Sequence, residues 1–112
     1  MKVLTVVQAR LPAAEGAGIE RAYTELRNGP ATPGLVQSRL LRKPDGTGIL
    51  YRIETIWESR EMLDRMRAGP EPPAAIKLFH DAGTQPSFEV FEVAEELVAV
   101  PDRSILVTAE ES

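Results

Sequence analysis

The sequence contains no cysteine and a single histidine, His80. Without cysteine there is no disulfide framework, no thiolate metal site, no iron–sulfur ligation and no thiol nucleophile. One histidine excludes a multi-histidine transition-metal site within one subunit. Aromatic residues make up only 5%, and Trp57 is the sole tryptophan. Basic charge is not in excess. The 13 Lys+Arg stand against 17 Asp+Glu, a formal net charge of −4, which leaves no electrostatic footprint for nucleic acid or an anionic membrane. Long apolar runs are absent as well. The stretch Val3-Leu4-Thr5-Val6-Val7 stops at Gln8 and Arg10, short of the roughly 7–15 residues of a secretory h-region and the about 20 of a membrane span. The expected location is the cytoplasm.

What is present suits a soluble α+β domain. The 112 residues are 43% hydrophobic and 27% charged, the composition of one globular domain and not of a disordered chain. Residues 2–10, rich in Val, Leu and Thr, read as a strand ended by Pro12. Ile19, Ala22, Tyr23 and Leu26 fall at i, i+3, i+4 and i+7 and predict one face of a helix. Asn28-Gly29-Pro30 stops it. Residues 35–42 and 49–57 read as two strands of a hairpin, joined through Lys43-Pro44-Asp45-Gly46-Thr47-Gly48, since a Pro-Asp-Gly centre favours a turn. Ser59 reads as the N-cap of a short helix carrying Met62, Leu63 and Met66, with Glu61 in its first turn. Pro70, Pro72 and Pro73 forbid a continuous helix, and 74–80 is helical again, with Ala75, Ile76 and Phe79 on its apolar side. Residues 87–94 form a fourth strand. Leu97–Val100 and Ile105–Thr108 are candidates for a further edge strand. Residues 1–94 are thus the domain, and 95–112 a C-terminal extension.

The order β-α-β-β-α-β is the ferredoxin-like split βαβ sandwich, an antiparallel four-stranded sheet with its helices on one face. A sheet with one wet face should alternate cleanly between apolar and polar. Here Val3 and Val7 lie opposite Leu4 and Val6, Leu35 and Leu41 opposite Val36 and Leu40, and Phe88 and Val90 opposite Phe91 and Val93. The helices can cover only one of these faces. The other is expected to be buried in a sheet-to-sheet homodimer.

The segment Pro33-Gly34-Leu35-Val36-Gln37-Ser38-Arg39-Leu40-Leu41-Arg42 resembles the opening of the second strand in antibiotic biosynthesis monooxygenase domains. Glu54-Thr55-Ile56-Trp57-Glu58-Ser59 resembles the end of their third strand, and Phe88-Glu89-Val90-Phe91-Glu92-Val93 their closing strand. The resemblance covers roughly residues 1–94 and implies a dimeric α+β barrel. For function it implies three options. One is a cofactor-independent monooxygenase that oxidises an aromatic polyketide or quinol-like molecule with O2, with no metal or flavin. Another is a non-enzymatic or non-oxidative (isomerase- or cyclase-type) small-molecule-binding homodimer. The third is haem degradation. Haem-degrading relatives use an Asn, a second Trp and a His that would fall near Gln8 or Ala9, Met66 and Ile76, so none matches, and His80 lies about one helical turn further on.

Cofactor-free oxygenation asks for an apolar pocket, help in removing a proton and stabilisation of the resulting anion. Trp57 could supply a wall and an indole donor, or be a core aromatic. His80, with the one side chain that titrates near neutrality, is the natural general base, or else a cap beside Asp81. Tyr23, Tyr51, Arg39 and Arg52 are the substrate-binding candidates, although Tyr23 also suits a core. Arg52 and Glu54 share a strand face, and if that face is buried they need one another, because an unpaired buried charge is costly. Neither Gly16-Ala17-Gly18 nor Gly46-Thr47-Gly48 completes a nucleotide-binding motif.

Overall fold

Period-two alternation in Val3–Pro12 (β1) and Gly48–Trp57 (β3) places both strands at the centre of the sheet. The computed structural model describes residues 1–99. Around the two central strands run a 3₁₀ turn at Ala13–Glu15, α1 (Gly16–Arg27), β2 (Leu35–Asp45), α2 (Arg60–Arg67), α3 (Ala74–Asp81) and β4 (Ser87–Glu92). All pairings are antiparallel and the strand order is β2-β3-β1-β4. This is the predicted split βαβ arrangement.

Strand ends differ from the sequence reading where an edge tolerates more than a centre does. β2 continues through Pro44, which pairs with Ile49, and the hairpin closes at Asp45 and Gly48 across Gly46-Thr47. Proline is admissible there because β2 is an edge strand with a free outer side. The second helix is divided into α2 and α3 by the Pro70–Pro73 segment, as expected. Leu97–Ala99 forms no strand, and the rest of the proposed edge strand lies outside the described residues.

One parity expectation is corrected. A β-bulge between Leu35 and Gln37 makes Val36 an extra residue. Because side chains alternate with period two, the insertion flips the face of everything before it. Leu35, opposite Trp57, therefore shares the helix-side face with Leu40, opposite Ile53, and Leu41 points the other way.

The helix-side face holds the core. Val7, Leu11, Ile19, Tyr51, Ile53 and Phe79 form one buried cluster, and Val3, Trp57 and Leu63 another. α1 and α3 thus close over the first cluster and α2 over the second. The outer face carries Leu4, Val6, Leu50 and Ile56 beside Arg39, Arg52 and Glu54. Phe91, on the same face, is 47% exposed. Apolar side chains do emerge on both sides of the sheet. No helix among the described residues is long and apolar enough to cross a membrane.

Candidate active site

Splitting the second helix leaves a gap between α1 and the α2–α3 break. A cavity of about 680 Å³ opens there, between the helix-side face of the sheet, α1, the 29–32 segment, Met66 and Pro73–Ala75. Val7, Leu40, Ile53, Phe88 and one side of Trp57 make it mainly apolar, the usual character of a small-molecule site. Leu26 and Leu35 are 41% and 39% exposed, and both line this cavity.

A band of hydroxyls crosses the apolar floor. Trp57 Nε1 donates to Thr5 Oγ1 at 3.2 Å, and Thr5 Oγ1 donates to the Thr55 carbonyl at 3.4 Å. Beside it, Thr55 Oγ1 donates to Ser38 Oγ at 3.2 Å, and Tyr23 Oη donates to the same Ser38 oxygen at 2.8 Å. All five side chains border the cavity. Trp57 therefore walls the cavity, but its indole N–H is committed to Thr5 and is not free for a ligand.

The other candidates separate. Tyr23 lies in the cavity. Tyr51 does not: it is fully buried on the core side of α1, where its hydroxyl donates to Glu20 Oε2 at 2.6 Å. Glu20 also accepts two hydrogen bonds from Arg42 Nη1. Burial, reinforced by the Glu20 carboxylate, pushes the Tyr51 phenol up to about 12. The Tyr51 hydroxyl, followed by Arg42, holds the Glu20 carboxyl below its ordinary range. Tyr51 is a structural clamp between α1 and β3.

Arg39 borders the cavity, yet its guanidinium sits 2.7 Å from Glu54 on the other side of the sheet. Arg52 is also on that outer face. It donates to Gln8 Oε1 at 2.9 Å and approaches Glu54 Oε2 at 3.5 Å. The predicted Arg52–Glu54 pair is real, with Arg39 as a third member. His80, proposed as the general base, is exposed at the end of α3, and its Nε2 faces Gln85 Oε1 at 3.0 Å. It does not line the cavity. No Asp, Glu or His does so among the described residues.

Sequence reasoning missed Thr5, Ser38 and Thr55. Two of them carried a signal, a hydroxyl at an inward position of otherwise apolar central strands. Ser38 carried less signal, because it sits on the edge strand β2, where a hydroxyl is as ordinary on a wet face as on a covered one.

No protein-family model and no curated protein matches the chain. Solved structures do. A provisionally assigned antibiotic biosynthesis monooxygenase from Deinococcus radiodurans superposes with a TM-score of 0.67 at 14% identity, over 88% of this chain and 98% of that one. SnoaB, a cofactor-independent oxygenase from Streptomyces nogalater, matches in a mutant form with a TM-score of 0.57 at 20% identity, over 90% and 98%. MhuD, a haem degrader from Mycobacterium tuberculosis with two haems bound in its active site, matches with a TM-score of 0.59 at 25% identity, over 88% and 100%.

Proposed function

We propose that this chain, which has the fold of the antibiotic biosynthesis monooxygenases, works as a homodimeric, cofactor-independent monooxygenase on an aromatic polyketide or quinol-like molecule. The observation that carries the reading is the apolar cavity floored by hydroxyl donors. Such a site can hold a flat aromatic body and stabilise negative charge on one of its oxygens. The likeness to SnoaB supports the class of chemistry. In the simplest balanced form, an activated ring CH2 and O2 give a ring carbonyl and water. The substrate supplies the electrons, and one oxygen atom of O2 is retained. With no carboxylate or imidazole from the described residues on the cavity wall, the reading calls for a carbon acid that is already acidic, and the site contributes by holding the anion. Arg27, which borders the cavity, adds favourable charge.

Haem fits this chain poorly. The only imidazole, His80, stands outside the cavity, and Met66 and Ile76 occupy the positions where haem-degrading relatives would carry Trp and His. The bare cavity wall favours one alternative, a small-molecule-binding homodimer with non-oxidative chemistry or none. Oxygen-electrode measurements with a panel of anthrones and hydroquinones separate the two. Protein-dependent O2 uptake, one O2 per product ketone, supports the oxygenase. Binding of the same compounds with no O2 uptake supports the alternative.

A further inference from the structure

The apolar stripe of α1 ends on a charge. Ile19, Ala22, Tyr23 and Leu26 repeat at i, i+3, i+4 and i+7, and the next position of that pattern, i+8, is Arg27. Tyr23, Leu26 and Arg27 all border the cavity. Arg27 is exposed, so its place is the rim. Three other helix cations are matched to carboxylates one turn away, Arg60 to Asp64, Arg65 to Glu61 and Lys77 to Asp81. At those spacings Arg27 has Tyr23 and Thr24 before it and Pro30 and Ala31 after it, none of them acidic. It enters no ion pair among the described residues. The cavity wall does not supply the missing anion. Arg39, its second charged residue, is bound to Glu54 on the outer face, and no Asp or Glu lines the cavity among the described residues. A guanidinium at the edge of an apolar cavity suits a planar two-oxygen anion, which its fork meets with two parallel N–H···O bonds.

We infer that Arg27 selects ligands that carry a carboxylate, with the aromatic body in the cavity and the carboxylate against the guanidinium at the rim. This rests on the cavity being the small-molecule site of the proposed function, and it narrows the ligand class from aromatic molecules in general to aromatic acids. The carboxylate is charged before and after any reaction at the ring, so the contact acts on binding and orientation and not on the barrier. A basic residue in the last turn also favours the helix dipole. That role touches stability and does not discriminate between ligands.

The test titrates two probes of nearly equal shape at neutral pH, 2-naphthoate with its carboxylate and 2-naphthamide without a charge. Trp57 is the sole tryptophan and stands in the cavity wall, so its single indole N–H resonance reports occupancy by NMR. The wild-type chain is expected to prefer 2-naphthoate, and added salt to reduce that preference. Arg27→Gln should weaken 2-naphthoate about threefold to tenfold, the range from an exposed ion pair to a better shielded one, and leave 2-naphthamide unchanged. Arg27→Lys, which keeps the charge without the fork, should retain part of the preference. Arg21→Gln removes the same charge from the same helix away from the cavity wall, and should change neither probe. Equal affinity of the wild-type chain for the two probes overturns the assignment, as does an unchanged 2-naphthoate affinity in Arg27→Gln. Equal losses of 2-naphthoate in Arg27→Gln and Arg21→Gln overturn it too, because they report the overall field. Parallel losses of both probes in Arg27→Gln do the same, since they report a disturbed helix end. If neither probe moves the Trp57 signal, the cavity is not a ligand site, and the assignment falls with that reading.

Discussion

Tyr51 shows how one side chain ties a helix to a sheet and leaves a mark on the pH dependence of stability. Its phenol is buried against α1 and bonded to Glu20, and its folded-state pKa is about 12 where an ordinary tyrosine titrates near 10. The ionised form is disfavoured only in the folded state, so the unfolded chain loses the proton first. The contribution is complete below pH 10 and disappears as pH rises toward 12. At about 1.4 kcal/mol per unit, the wild-type chain should lose about 2 kcal/mol over that window. Tyr51→Phe should start about 1 kcal/mol less stable at pH 8, for its lost hydrogen bond, and show no such fall. Urea unfolding of both proteins across pH 8–12 reads the difference. Gly34 is a second singular residue. It has φ 83°, and a Cβ there would lie 2.5 Å from Met62 Cβ. Backbone strain and overpacking add, so Gly34→Ala should cost more than about 2 kcal/mol in the same measurement. Of these two, the sequence marked Gly34 only as part of the Pro-Gly-Leu motif and Tyr51 as a substrate-binding candidate, not as a clamp. Whether an aromatic hydroxyl meets a carboxylate or a cavity depends on helix placement to within an ångström or two, and periodicity does not resolve that.

At the scale of elements, short helices here depend on their ends. α2 has only eight residues, below the length at which a helix is stable by itself. Ser59 accepts from the Met62 amide at 3.2 Å, Glu61 stands in the first turn, and Arg65 and Arg67 in the last. The Ser59 cap and the Glu61 charge were legible because they follow from local chemistry alone. Ser59→Ala should cost about 1 kcal/mol and should raise amide exchange in α2 first, while β1 and β3 remain protected. Retained protection of α2 would show that Leu63 and the sheet hold it without the cap. Element order, the hairpin and the proline break were equally readable, each resting on a local rule. The bulge at Val36 was not, because nothing in a run of apolar residues marks which one is surplus. That single insertion decides which side Leu35 faces, and so the candidate site was visible only in part: Trp57 and Tyr23 by type, the Thr5, Ser38 and Thr55 hydroxyls not at all.

For the whole molecule the decisive question is what covers the outer face of the sheet. Leu4 and Phe91 are paired neighbours there, and Phe91 is 47% exposed, while all three helices pack on the other side. The least exposed charge on that face, Glu54, is paired within the subunit. Glu54, 14% exposed, is shared by Arg39 at 2.7 Å and Arg52 at 3.5 Å, and Arg52 is held by Gln8. Covering the cluster leaves Glu54 paired, while the second guanidinium has to keep its access to water at the rim or meet an acceptor across the contact. A second copy placed by a two-fold axis is the occupant that fits the proposal of a homodimer, and any change then acts twice. Phe91→Glu would set two carboxylates into the interface and should weaken association at least about thirtyfold, the scale of losing an aromatic anchor worth about 2 kcal/mol. The far-UV circular dichroism should survive, because Phe91 is 47% exposed and belongs to neither buried cluster. Sedimentation equilibrium of the wild-type chain and the variant across micromolar concentrations measures this directly. A wild-type chain that sediments as a monomer throughout would mean that these apolar groups serve another contact, and the homodimer would have to be given up.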